Sequence, residues 1–295
     1  MTKRVRSIVY PLLAAIIWGT AFSAQSICAE YMSPFFINGI RSLIAAAVLA
    51  VVTFFIAKKN AIGPWRELIL GSLACGFSLF VAVNLQQIAI PFTATGKVAF
   101  VTSFYTVIVP VLGMLFGHKV RARVWAAIVV SLFGLYLLCM GSGFSIGRYD
   151  ILLIACAFFF AIQIMFLSHY TKTVNAIALS CGQFIVVGVL SLCVSFISEH
   201  GEVQDIGSCL PSLLYIAIFS SCIAYTLQVA ALRDGETTIT TLLYSLESVF
   251  GLLAGVVILS EKLSTRELIG CLVIFVAVLF SQLPDKLFEK IKPKA

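Results

Sequence analysis

An all-α polytopic membrane protein, with ten transmembrane helices arranged as two inverted five-helix repeats, is the fold this sequence predicts. Three observations carry that expectation: ten apolar stretches of roughly twenty residues, a strong bias of Lys and Arg to one side of the membrane those stretches define, and a match of the chain with itself at an offset of 142 residues. A helix rises about 1.5 Å per residue, so about twenty apolar residues cross the roughly 30 Å hydrocarbon core of a bilayer. Backbone in lipid must satisfy its own hydrogen bonds, which makes such stretches helices. The composition agrees, being 61% hydrophobic and 11% charged, whereas a soluble domain has about a quarter of its residues charged.

The first span, Ile8–Ile27, follows Lys3, Arg4 and Arg6 and has the outline of a secretory signal. Its apolar run is too long for a signal core and no small-x-small cleavage site ends it, so it reads as an uncleaved helix. Pro34–Ile56 is the second span, and Lys58-Lys59 and Gly63-Pro64 separate it from the third, Leu68–Ile90. Pro91 precedes the fourth, Thr93–Phe116, and the basic segment Lys119–Arg123 leads to the fifth, Val124–Met140. A Gly-rich link precedes the sixth, Ile151–Ser168; the seventh is Ile177–Ile197. The longest link, Ser198–Leu210, then leads to Pro211–Leu232, Thr237–Leu259 and Leu268–Leu283. The repeats are expected at 8–140 and 150–283, with a basic tail at 284–295. No room is left for a soluble domain, so the chemistry lies within the membrane or at its faces.

With the N-terminus in the cytoplasm, ten spans return the C-terminus there. Fifteen of the 20 basic residues then lie inside, three (Arg148, Lys262, Arg266) lie outside, and Arg41 and Lys97 fall within spans. This positive-inside bias assigns both termini to the cytoplasmic side of an inner membrane. It also accounts for the +7 net charge, because each near-surface basic residue gains about 1 kcal/mol against anionic lipid. The expected partners are therefore the bilayer and a small-molecule substrate, with no nucleic acid, no ATP and no cofactor. The chain is expected to act as a monomer or homodimer. Nine cysteines are scattered without a C-x-x-C and read as small buried hydrophobes. A bridge between Cys28 and Cys209, both near the outer face, is allowed but has no support in the spacing.

At the 142-residue offset Trp18-Gly19 falls on Phe160-Ala161, Arg41 on Gln183, Leu85-Gln86 on Leu227-Gln228, and Ala89-Ile90 on Ala231-Leu232. Five spans per unit is odd, so the second unit enters the membrane from the opposite side. Such inverted repeats are typical of secondary transporters, whose substrate sits near the midplane between the halves.

Trp18-Gly19-Thr20-Ala21-Phe22 resembles the opening W-G-x-x-F helix of the EamA family in the drug/metabolite transporter superfamily. Arg41 is similar to the Arg of that family's second helix. Ala231-Leu232, Leu246-Glu247-Ser248-Val249-Phe250 and Leu259-Ser260-Glu261-Lys262-Leu263 resemble its closing A-L…L-E-P-V-F…L-G-E-R-L pattern. Two departures stand out. Ser248 replaces the usual Pro, so the kink expected there is in doubt, and His118-Lys119 stands where the first unit would carry an acid. The resemblance implies a ten-helix bundle that moves small metabolites or amino acids, often outward, through a central cavity.

A charge at the centre of a membrane helix costs about 2.5–3.5 kcal/mol on insertion scales, so Arg41, Lys97 and Glu247 are expected to face water or a partner. Arg41 and Lys97 suit a substrate carboxylate. Glu247 suits a cation or a transferable proton, and Lys97 can instead reach the outer headgroups. Residues three or four apart share a helix face. This groups Trp18 with Gln25, Asn38 with Arg41, Asn84 with Gln87, Tyr225 with Gln228, and Tyr244 with Glu247; Gln163 and Gln183 complete the second half. The same amides also serve as interhelical hydrogen bonds of roughly 0.6–2 kcal/mol, and both roles are open for each. Gly113/Gly117 and Gly251/Gly255 form G-x-x-x-G pairs in corresponding spans and read as close helix contacts. The phenylalanines read mostly as lipid-facing.

Secondary transport of amino acids or related metabolites, with export favoured, is the reading these features support. Import or exchange of a nucleoside derivative or methyl donor is the alternative. A membrane-embedded enzyme is distant, because the three histidines lie in loops and no H-E-x-x-H or G-x-S-x-G occurs. A channel would need a ring of charges or a filter loop.

Overall fold

The computed structural model describes residues 2–57, 62–93, 95–117, 119–139, 147–200, 204–259 and 264–282. His118, the stretch 260–263 and the basic tail at 284–295 lie outside the described residues. The helices are α1 (Lys3–Ala29), α2 (Pro34–Ala57), α3 (Trp65–Ala89), α4 (Thr95–Thr102), α5 (Tyr105–Leu115), α6 (Ala122–Cys139) and α7 (Arg148–Tyr170). They continue as α8 (Ala176–Ser198), α9 (Ile206–Tyr215), α10 (Tyr225–Asp234), α11 (Thr237–Tyr244), α12 (Glu247–Leu259) and α13 (Thr265–Gln282). A π-helical segment, Ile216–Ala224, joins α9 to α10 in one long pass. Eight helical stretches are long and apolar enough to cross a membrane, and Ala122–Leu137 is a shorter apolar helix. With α13, these are the ten passes of an all-helical membrane fold.

Burial follows the logic of a lipid solvent. Phe54, Trp65, Leu115, Phe116, Phe196 and Ile197 face outward, while Asn38, Arg41, Gln87, Gln163, Gln183 and Glu247 are buried. Buried phenylalanines such as Phe22, Phe100, Phe160 and Phe184 show that phenylalanine fills the interior as well as the lipid face. Cys28 and Cys209 are buried free thiols in one apolar cluster.

Equivalent helices of the two halves pack on each other, α2 on α8 and α6 on α13. Gly39 meets Leu192 and Gly188 meets Leu43, so numbering rises along α2 as it falls along α8 and the two run antiparallel. The start of α2 is fastened by the end of α8. The Glu199 carboxylate accepts from the Ser33 hydroxyl at 2.6 Å and from the backbone N–H groups of Phe35 and Phe36 at 3.0 and 3.2 Å. A carboxylate is well placed there, at the positive end of the helix dipole. Replacing Glu199 with Ala is expected to cost about 1–2 kcal/mol, visible as a lower melting temperature of the detergent-solubilised protein.

The fourth and ninth spans, which read as single helices in the sequence, are each broken. α4 stops at Thr102 and α5 begins at Tyr105; α11 stops at Tyr244 and α12 begins at Glu247. The two breaks, Ser103-Phe104 and Ser245-Leu246, sit at equivalent positions of the 142-residue offset. Hydroxyls occupy backbone acceptors at both: Thr106 donates to the Ser103 carbonyl at 2.8 Å and Ser245 to the Leu242 carbonyl at 2.7 Å. Such back-bonding lets a helix bend or stop in lipid without proline. The interruption expected of a Pro at Ser248 is therefore present three residues earlier, made by Ser245.

The two G-x-x-x-G pairs also separate. Gly117 ends its helix at φ +81° with open space around it, so it is a left-handed terminator and not a packing site. Gly251 does pack, within the protein: it sits on Gly19, and a Cβ added at Gly19 would lie 2.6 Å from both the Glu247 carbonyl and the Gly251 nitrogen. The side of Gly255 is outside the described atoms.

Candidate functional site: a central polar cavity

The residues flanking the two breaks, Thr102, Tyr105, Tyr244 and Glu247, all line one cavity. α1, α2, α3, the pass α9–α10, and the breaks α4/α5 and α11/α12 enclose one cavity between them, with α7 closing its side. Trp18 forms one wall, edge-on to Tyr225 and Tyr244 with ring centroids 5.0 and 5.4 Å apart. Measured as room for the centres of water molecules it is about 40 Å³, enough for about three waters. A metabolite fits only when the surrounding helices part, so the form described here is nearly closed.

Of the residues expected to bind substrate, Trp18, Gln25, Arg41, Tyr225, Gln228, Tyr244 and Glu247 line this cavity. Among the described lining residues Arg41 is the only cation and Glu247 the only anion, and no ion pair joins them. Arg41 Nη1 donates to Gln25 Oε1 at 3.3 Å, while its Nε–H is buried without a partner, as is the Trp18 indole N–H. Glu247 Oε1 accepts from the Tyr105 hydroxyl at 3.4 Å. Tyr244 donates to the Gln228 carbonyl at 3.3 Å, which ties the ring to α10.

Six expected residues stand outside the lining, each for a visible reason. Asn38 donates to the Val83 carbonyl and to Asn84 Oδ1, both at 3.0 Å, and Asn84 donates to the Phe80 carbonyl and to Ser191. This amide pair staples α2, α3 and α8 together. Gln87 donates to the Gln25 carbonyl at 3.3 Å. Gln163 donates to Gln183 at 3.2 Å and to Gln228 at 3.4 Å, so those two amides stand behind the wall and hold Gln228.

Lys97 is not a cavity residue, nor does it reach for headgroups. Its ammonium pairs at 2.7 Å with Asp150, whose carboxylate also accepts the Gly147 N–H at 2.6 Å. Arg6 and Asp234 form a further ion pair between the halves, 3.0 Å apart, at the face that holds the N-terminus. Removing one partner of a half-buried charged hydrogen bond is expected to cost about 1–2 kcal/mol. Asp150→Asn should therefore lower the melting temperature, and adding Lys97→Gln should recover part of the loss. Apparent substrate affinity should be unchanged in both.

The cavity also holds residues the sequence reading left out: Phe22, Gln86, Thr102, Tyr105, Phe160, Ile164 and Ser220. Most follow from the repeat. At the 142-residue offset Trp18 matches Phe160, Phe22 matches Ile164 and Gln86 matches Gln228; Thr102 matches Tyr244 and Tyr105 matches Glu247. Tyr105 and Glu247 touch each other, so they sit on the pseudo-twofold axis itself.

A multi-pass helical membrane protein with broken helices meeting at a buried, charged cavity is the class that fold and site define. The model of the EamA-like transporter family matches residues 5–140 and again 147–283, and the chain belongs to that family. It is 29% identical to an uncharacterized transporter of Archaeoglobus fulgidus, covering 95% of this chain and 87% of the relative. It is 26% identical to the uncharacterized inner membrane transporter YedA of Escherichia coli K12, covering 92% and 89%. A probable amino-acid metabolite efflux pump of the same bacterium is 24% identical, over 90% of this chain and 91% of its own. A crystal structure with 18% identity superposes at a TM-score of 0.79 over 97% of this chain and 98% of its own, which bears on the fold alone.

Proposed function

We propose that this membrane transporter is a secondary carrier that exports amino acids or related small metabolites across the cytoplasmic membrane by alternating access. The observation that carries the reading is a buried cavity bearing Arg41 and Glu247 without an ion pair between them. Buried charges without an ion-pair partner are costly, and a solute of complementary charge offsets that cost. The efflux pump among the relatives supports the substrate class and the direction. The two units, 8–140 and 150–283, or bundles exchanged between them, rock around the cavity, and the Lys and Arg distribution favours both termini in the cytoplasm.

A second reading, import or exchange of a cationic methyl donor, is favoured by Glu247 sharing the cavity with the aromatic rings of Trp18, Tyr105 and Tyr244, which suit a cation. Purified protein in liposomes, screened against a metabolite panel with and without a proton gradient, separates them. Saturable flux of amino acids supports the first reading and flux of the methyl donor alone supports the second. Absence of any flux would remove the transporter reading.

A further inference from the structure

Ten of the fourteen residues lining the cavity fall in pairs at the 142-residue offset. Four lining residues have no counterpart in it: Gln25, Arg41, Ser220 and Tyr225, whose matches at the 142-residue offset are Leu167, Gln183, Ser78 and Val83. Paired positions surround a solute on both sides of the pseudo-axis, so the unpaired four are what give the cavity a distinct end. Among them Arg41 is the one group that can only donate. Arg41 is 4% exposed, its Nε–H has no partner, and Gln25 holds its Nη1 in place. The counterpart Gln183 is uncharged and stands behind the wall, its Oε1 taken by Gln163, so no second cationic site forms across the axis.

From this we infer that the unpaired side is a carboxylate subsite, built on Arg41 and positioned by Gln25, and that it orients the carried solute. The carboxylate lies on the Arg41 N–H groups, and the ammonium of the same solute lies toward Glu247 on the axis. The solute class is a zwitterionic amino acid held in one orientation. A planar guanidinium with free N–H groups suits a carboxylate, and a buried donor left unpaired by the wrong solute is strongly discriminating. This inference rests on the transporter reading above.

The test is competition in proteoliposomes, with the full chain and with leucine, leucinamide and 3-methylbutylamine offered against whichever panel amino acid is carried fastest. Wild-type protein is expected to bind leucine about a hundredfold better than either analogue that lacks the carboxylate. Arg41→Gln should shrink that preference to a few fold. Gln25→Leu, which installs the residue found at the equivalent position and leaves Arg41 in place, should shrink it about tenfold and decides the matter if Arg41→Gln does not fold. Equal competition by leucinamide in the wild type, or an undiminished preference in the folded variants, would overturn the subsite. Flux confined to solutes without a carboxylate would overturn it too while leaving the transporter reading intact. No flux of any solute would overturn both.

Discussion

Glu247→Gln is expected to lower amino-acid flux through the reconstituted protein by ten- to a hundredfold and to flatten its dependence on pH. Glu247 is the one carboxylate among the described lining residues and lies on the pseudo-axis against Tyr105. A hydrogen bond to a charged group contributes about 1.5–3 kcal/mol, which is that range of affinity. The substitution keeps the shape of the side chain, so folding should survive it. Tyr105→Phe removes only a 3.4 Å contact between the phenol and that carboxylate, and should cost clearly less. Flux of the Gln variant at wild-type rates, with an unaltered pH profile, would show that Glu247 neither holds a solute cation nor carries a proton.

The second large effect belongs to Gly19. Its added Cβ would stand 2.6 Å from the Glu247 carbonyl and the Gly251 nitrogen and 2.8 Å from Phe250 Cβ. The two closest atoms are backbone, which cannot rotate aside, so α1 must move off α12. Overpacking of this kind costs about 1–3 kcal/mol, and the shift displaces Trp18 and Glu247 together. Gly19→Ala should therefore both lower the melting temperature and abolish flux. Gly251→Ala is the control: the nearest atom to its Cβ is at 3.4 Å, an ordinary contact, and the variant should remain active. Equal tolerance of the two substitutions would mean that this junction is not tightly packed.

Span number, the repeat and the polar positions within spans were legible because each has a sequence-level cause: length, a fixed offset, or a charge in an apolar run. The breaks in the fourth and ninth spans were not, since neither Pro nor Gly marks them and a serine hydroxyl is a weak signal among many serines. The amides were ambiguous for a physical reason, because one helix face cannot tell a cavity from a neighbouring helix. Asn38, Asn84 and Gln163 found helices while Gln25 and Gln228 found the cavity. Lys97 was misplaced because its partner Asp150 lies 53 residues away, beyond any local pattern. Tyr105, Thr102 and Gln86, by contrast, were within reach: carrying Glu247, Tyr244 and Gln228 back by the repeat offset lands on them.

Pairing equivalent helices across the halves has a consequence for how the chain is made. Asn84 awaits Ser191, and the start of α2 awaits Glu199, yet translation at about 5–20 residues per second delivers those partners only after several seconds. During that interval the first five passes stand in the bilayer with buried amides and a helix end uncovered. Biogenesis thus includes a half-built stage whose polar groups need shelter, and the newborn first half becomes dependable only when its twin arrives.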